Sequence, residues 1–103
     1  MQTEQWIRRA RNGDAEAFNR LVEMFQQTVY NVAMRHTNGN ADDALDACQE
    51  AMLSAWQAVA RFEGDARGFR AWLIRIVINA CRARQRYEAR RPTTPIEFED
   101  GDD

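Results

Sequence analysis

Apolar side chains recur at three- and four-residue steps along most of this chain, and short polar breaks divide the pattern into four helices. Trp6, Ile7 and Ala10 share one side of residues 3–11, and Asn12-Gly13 ends that first, short helix. Asp14 stands where it would cap a second helix from about Ala15 to Arg35. The apolar face of that helix is Phe18, Leu21, Val22, Phe25, Val29, Val32 and Ala33. Thr37-Asn38-Gly39 stops it, with Gly39 suited to a left-handed position beyond the helix end. Asn40 can cap a third helix reaching to about Arg61, and Asp42 and Asp43 in its first turn complement the helix dipole. Its predicted buried stripe is Ala44, Leu45, Cys48, Met52, Ala55, Trp56 and Val59. Residues 62–68 read as a loop. A fourth helix follows from about Phe69 to Tyr87, turning Phe69, Trp72, Leu73, Ile76, Val77 and Ala80 toward the core. No strand pattern rises above the helical one. The expectation is an all-α domain over residues 1–91: a small helical bundle of three main helices plus a short N-terminal helix. Pro92 and Pro95 mark its end, and the acidic residues 92–103 are expected to be disordered.

Composition changes this picture through its distribution along the chain. The net charge of −2 would by itself argue against a nucleic-acid partner. Residues 61–91, however, carry nine arginines against three acids, between an acidic first part and a tail with five acids and no base. Segregation of this kind matters for phosphate binding and steering. Cys48 and Cys81 both fall on predicted apolar faces, as buried thiols do, and no CxxC or Cys/His spacing suggests a metal. His36, near a helix end, suits capping better than ligation. There is no Ser/His/Asp set and no paired histidine, so an enzyme is not expected, nor is a cofactor. Neither a signal peptide nor a bilayer-spanning apolar run is present, which predicts a cytoplasmic protein without membrane insertion.

Two faces hold the candidate chemistry. On the third helix Asp46, Gln49, Glu50 and Leu53 follow i, i+3, i+4, i+7 spacing and lie together. They form either a solvated acidic face or, given Leu53 among acids and amides, a partner surface. On the fourth helix Trp72, Arg75, Asn79, Arg82 and Arg86 run along one flank, beside Arg84, Arg90 and Arg91, with Arg67 and Arg70 at the loop. Arginines neutralise phosphates, an Asn amide reads a base edge, and a marginal aromatic ring stacks on an unpaired base. This combination fits an opened strand better than a rigid groove, although a water-solubilising basic face would share the spacing. The Phe62–Gly68 loop is either a plain connector or one wall of the same site.

The order of these residues resembles region 2 of bacterial extracytoplasmic-function (group IV) sigma factors over about residues 14–91. Three short motifs in order carry the resemblance: Asp46-x-x-Gln49-Glu50 with Trp56 following, Phe62-x-Gly64-Asp65, and Trp72-Leu73-x-Arg75-Ile76-x-x-Asn79. The resemblance implies that Asp46, Gln49, Glu50, Leu53 and Trp56 dock on the clamp helices of the β′ subunit of core RNA polymerase. It also implies that Phe62, Gly64, Asp65, Arg67, Arg70, Trp72, Arg75, Asn79, Arg82 and Arg86 bind promoter DNA. There they would capture a flipped base and hold the non-template strand of the minus-ten element. An anti-sigma factor is implied as a further partner, since such proteins commonly cover these faces. Two departures stand out: the family pattern commonly has Arg where Glu63 stands, and its interval from the loop Phe to the helix Trp is usually one residue shorter. The helix-turn-helix region 4 is absent from this chain, which points to an excised domain rather than a truncated protein, and the acidic residues 92–103 resemble the start of the interdomain linker. The competing classes are a sigma-like interaction bundle, acting as adaptor or decoy without DNA melting, and a redox or metal sensor using Cys48 and Cys81.

Overall fold

In the computed structural model, residues 2–90 are described, and they form four α-helices with no strand among them. These are α1 (Gln2–Arg11), α2 (Ala15–His36), α3 (Ala41–Ala58) and α4 (Ala66–Arg90), with a single 3₁₀ turn, Val59–Arg61, continuing α3. The all-α bundle with its short N-terminal helix is therefore what the chain forms. Residues 92–103 and Arg91, read above as tail and added charge, lie outside the described residues.

The boundaries follow local chemistry. Asp14 caps α2, its carboxylate accepting from the backbone N–H groups of Glu16 and Ala17 at 3.0 and 3.2 Å. Arg9 closes on the same carboxylate at 2.7 Å and ties the end of α1 to the start of α2. The Ala17 amide and the Arg9 bond together hold the Asp14 pKa below its ordinary value. Asn40 caps α3 through the Asp43 N–H at 3.0 Å. At the end of α2 the left-handed position is taken first by Asn38, at φ 57°, and then by Gly39, at φ 79°. The Gly39 N–H returns to the Met34 carbonyl at 2.9 Å, so the stop uses both residues where the sequence pointed to glycine alone. Buried Thr37 steadies the turn by donating its hydroxyl to the Ala33 carbonyl at 2.8 Å.

The core corrects the predicted stripe on α3. Its fully buried positions are Ala44, Ala47, Ala51 and Ala55, with Val59 just beyond, whereas Leu45 is 51% exposed and Cys48, Met52 and Trp56 are half-buried. Small side chains allow α2 and α4 to approach closely, so the alanine seam goes inward and the bulkier residues move to its margins. On α4 the buried seam is Phe69, Leu73, Val77 and Cys81, each 0–1% exposed. Trp72, Ile76 and Ala80, placed in the core by periodicity, lie half-buried at its rim. Ile7 and Ala10 fasten α1 to the bundle.

Candidate nucleic-acid interface

The loop before α4 is shorter than the sequence pattern implied. The helix begins at Ala66, not Phe69, because Asp65 caps it: Asp65 Oδ1 accepts the Gly68 N–H at 2.9 Å and its carbonyl accepts the Phe69 N–H at 2.9 Å. Arg67 and Gly68 are therefore first-turn helix residues, and the connection is the four-residue turn 62–65. Apolar periodicity starts only at Phe69, which is why the polar first turn read as loop. At the other end α4 runs on to Arg90, past the Tyr87 expected.

Under this turn lies an aromatic cluster. Phe62 meets Phe69 edge-on, ring centres 5.3 Å apart at 89°, and Trp72 tilts against both at 5.1 and 5.4 Å. Such offset and T-shaped pairs add to plain area burial. Phe62 is only 6% exposed and Phe69 fully buried, while Trp72 is half-buried. Phe62, named as a DNA contact, is thus largely covered and packs against Trp72. Gly64 is required here: its φ is +146°, and a Cβ on it would stand 3.0 Å from Cζ of Phe62.

Between the turn and the first two turns of α4 opens a pocket of about 370 Å³, within the range of small-ligand sites. Phe62, Glu63, Gly68, Trp72 and Arg75 line it, together with Arg61 and Ala71, which the sequence pattern does not assign to the site. Helical spacing makes Arg61 the end of the third helix, whereas it closes the 3₁₀ turn and lines the pocket. Ala71 could have been found from its spacing, since it stands one turn before Arg75 and three residues after Gly68. Glu63, where the family pattern commonly has Arg, is in the pocket wall.

From the pocket, exposed side chains continue along α4: Arg75, Asn79, Arg82 and Arg86, with Arg67 and Arg70 exposed at its start. Asn79 lies seven residues beyond Trp72, so about 10 Å along the axis. None of these arginines makes an ion pair among the described residues. Their charge is available to phosphates.

Arg84 is different, and its reading as spare positive charge is corrected. Its guanidinium lies 3.2 Å from Asp43, 3.4 Å from Asp46 and 3.8 Å from Glu50, all on α3. Burial opposes its charge, but the Asp43 hydrogen bond and the charges of Asp46, Asp43 and Glu50 outweigh this and raise its pKa. Its Nε is buried without a hydrogen-bond partner. The acidic residues named as a partner surface are thereby joined to α4. Gln49 instead borders an apolar groove of about 550 Å³ between α2 and α3, whose walls include Val22, Tyr30, Leu45, Cys48 and Met52. Leu53 is 59% exposed, and Trp56 packs on Phe18 with ring centres 5.2 Å apart.

Both cysteines are free thiols. Burial raises both pKa values, that of Cys48 further through the neighbouring Cys81 and that of Cys81 against the opposing charge of Arg84. Neither is an activated thiolate. No cluster of His, Cys, Asp and Glu able to hold a metal occurs among the described residues, and no helix there is long and apolar enough to cross a membrane.

The sequence comparisons agree with this architecture. Residues 21–91 match the family described as Sigma-70 region 2. The ECF RNA polymerase sigma factor SigM of Mycobacterium tuberculosis is 41% identical over 85 residues, covering 82% of this chain and 42% of that protein. The RNA polymerase sigma-H factor of Pseudomonas aeruginosa is 35% identical over 88% of this chain and 46% of its own length. The ECF RNA polymerase sigma-E factor of Escherichia coli is 35% identical over 84% of this chain and 44% of its own length. The chain spans less than half the length of these relatives. With its helices, its aromatic-floored turn and its matched residues in place, the chain belongs to the sigma-70 region 2 family, in the extracytoplasmic-function (group IV) branch.

Proposed function

We propose that this domain recognises the minus-ten element of a promoter and holds its non-template strand open, acting with core RNA polymerase in transcription initiation. The observation that carries the reading is the pocket between the Phe62–Asp65 turn and α4, continued by unpaired arginines and Asn79. One unstacked base enters between Trp72 and the turn, and Arg75 stands at the wall to meet its edge or its phosphate. Beyond it, Asn79 hydrogen-bonds a neighbouring base and Arg82 and Arg86 follow the backbone. Unpairing a base costs a few kcal/mol. Stacking on an aromatic ring returns about 1–3 kcal/mol per base, so capture and opening are close to balanced, and phosphate contacts tip them.

Asp46, Gln49, Glu50, Leu53 and Trp56 are the proposed polymerase surface, facing the β′ clamp helices. Leu53, exposed between carboxylates and a glutamine, supplies the apolar centre that such an interface needs. An anti-sigma factor covering either surface would silence the domain. The place of action follows from the partners: the cytoplasm. The same exposed leucines also suit a sigma-like adaptor that never touches DNA.

The two readings part in one experiment. Labelled single-stranded DNA of randomised sequence is offered to the chain with core polymerase, and bound strands are sequenced. Promoter recognition predicts an enriched short motif, lost with Trp72→Ala or Asn79→Ala while polymerase binding survives. Gln49→Ala with Glu50→Ala should do the reverse. Polymerase binding without any enriched strand selects the adaptor.

A further inference from the structure

The family match begins at residue 21, after α1. Yet α1 packs against both the 3₁₀ turn and α4, beside the turn that shapes the base pocket. On that side lies a second cleft, of about 290 Å³, lined by Glu4, Ile7, Arg8, Arg11, Gly64 and Asp65. The two cavities share one short connection: Phe62 and Glu63 border the base pocket, and Gly64 and Asp65 border this cleft. A strand with one base in the pocket can therefore carry its backbone across the turn toward α1.

We infer that Arg8 and Arg11 form a phosphate-binding subsite, gripping the opened strand where it passes the Phe62–Asp65 turn. The inference rests on the proposed strand capture and adds to it a contact from outside the matched segment. Arg8 and Arg11 are three residues apart and so lie on one side of α1. Neither makes an ion pair among the described residues, whereas Arg9 between them is committed to Asp14 at 2.7 Å. The cleft also holds two carboxylates, and both are occupied by the start of α4. Asp65 Oδ1 accepts the Gly68 N–H at 2.9 Å, and Glu4 Oε2 accepts the Ala66 N–H at 3.4 Å. Their charge complements the positive end of that helix. Two guanidinium forks are thus left facing the cleft with donors free, and planar donor forks match phosphate oxygens. Gly64, with no side chain, lets a backbone come close to the turn. Glu4 serves the site indirectly, as a positioning residue that fixes α1 against the first turn of α4.

The test compares binding of short fluorescein-labelled single-stranded DNA of random sequence across salt concentration, by anisotropy, for the chain alone and with core polymerase. Each neutralised phosphate on a single strand contributes about 0.7 to the slope of log affinity against log salt. Arg8→Gln with Arg11→Gln should lower that slope by about 0.7 to 1.4, according to whether the two arginines share a phosphate or hold one each. Arg8→Lys with Arg11→Lys should restore it. The enriched bases should stay the same, since the pocket is intact. Both side chains are exposed, and an unchanged helical circular dichroism signal with an unchanged melting temperature checks the fold; Arg11→Gln alone provides a milder variant. A slope unaltered by the double substitution, in a chain whose binding Trp72→Ala still weakens, overturns the α1 subsite and leaves strand capture standing. No binding by the unaltered chain in either setting overturns both.

Discussion

Replacing Arg84 with methionine tests how the two working helices are held together. The guanidinium reaches three carboxylates at 3.2, 3.4 and 3.8 Å, but those carboxylates are 46–56% exposed and Arg84 itself is 25% exposed. Water and salt therefore screen the pairs, and each is worth about 0.2–1 kcal/mol rather than the figure for a buried bridge. One guanidinium shared among three partners does not give three full contributions, so the ionic part amounts to about 1 kcal/mol. Losing it also leaves Asp46 and Glu50, at i and i+4, repelling one another by about 0.2–0.5 kcal/mol. Against this, methionine keeps most of the packed stem and removes the buried Nε, which has no partner and costs about 1–3 kcal/mol where it is. At low salt the loss of about 1.2–1.5 kcal/mol exceeds only the lower end of that Nε cost, by about 0.2–0.5 kcal/mol, and the variant should melt at most about 1–4 °C lower. At 1 M salt, where the screening length falls to about 3 Å, the difference should vanish or change sign. Thermal melts followed by circular dichroism at both salt concentrations read this directly. A melting difference that does not move with salt would refute the ionic account and reassign Arg84 to packing alone.

Two further predictions concern the turn and the first capped helix. Gly64→Ala forces a Cβ to within 3.0 Å of the Phe62 ring at φ +146°, so the turn should distort at a cost of about 1–3 kcal/mol; single-strand binding should fall about tenfold or more while α1–α3 keep their hydrogen-exchange protection. Asp14→Asn keeps a good cap but loses the charge paired with Arg9. Because folding depresses the Asp14 pKa, its charged form stabilises above the ordinary value of 3.8 and that contribution fades as pH falls through the lower folded value. The native chain should therefore outlast the Asn variant in chemical denaturation near neutrality and lose that lead in acid; an equal lead at both would disprove it.

Periodicity and capping residues alone located the four helices, because Asp14, Asn40 and the breaks at 12–13 and 37–39 are local signals that tertiary packing did not override. Where the reading slipped, the reason was size. A period-based stripe prefers Leu45 over Ala47, yet packing density selects the alanine, since only small side chains fit where α3 is pressed between two neighbours. The start of α4 was missed for a related reason, as Asp65, Arg67 and Gly68 show no apolar period while making a sound first turn. In the candidate site the flank from Trp72 to Arg86 was legible, being a matter of helical spacing. The neutralisation of Arg84 was not, because Asp43 lies 41 residues away in sequence. Nor was the placing of Arg8 and Arg11, whose relation to the turn depends on how α1 folds back onto the bundle.

The alanine seam of α3 has a consequence for how such a domain changes over generations. Four positions, 44, 47, 51 and 55, hold the helix in the bundle, and a different set, Leu45, Gln49, Glu50 and Leu53, is exposed to whatever lies outside. Glu50 in the second set also pairs with Arg84 and helps hold α3 to α4, whereas substitutions at Leu45, Gln49 and Leu53 leave foldability nearly untouched. Whatever surface this face meets can therefore be retuned by single steps at those three positions, without passing through unfolded intermediates.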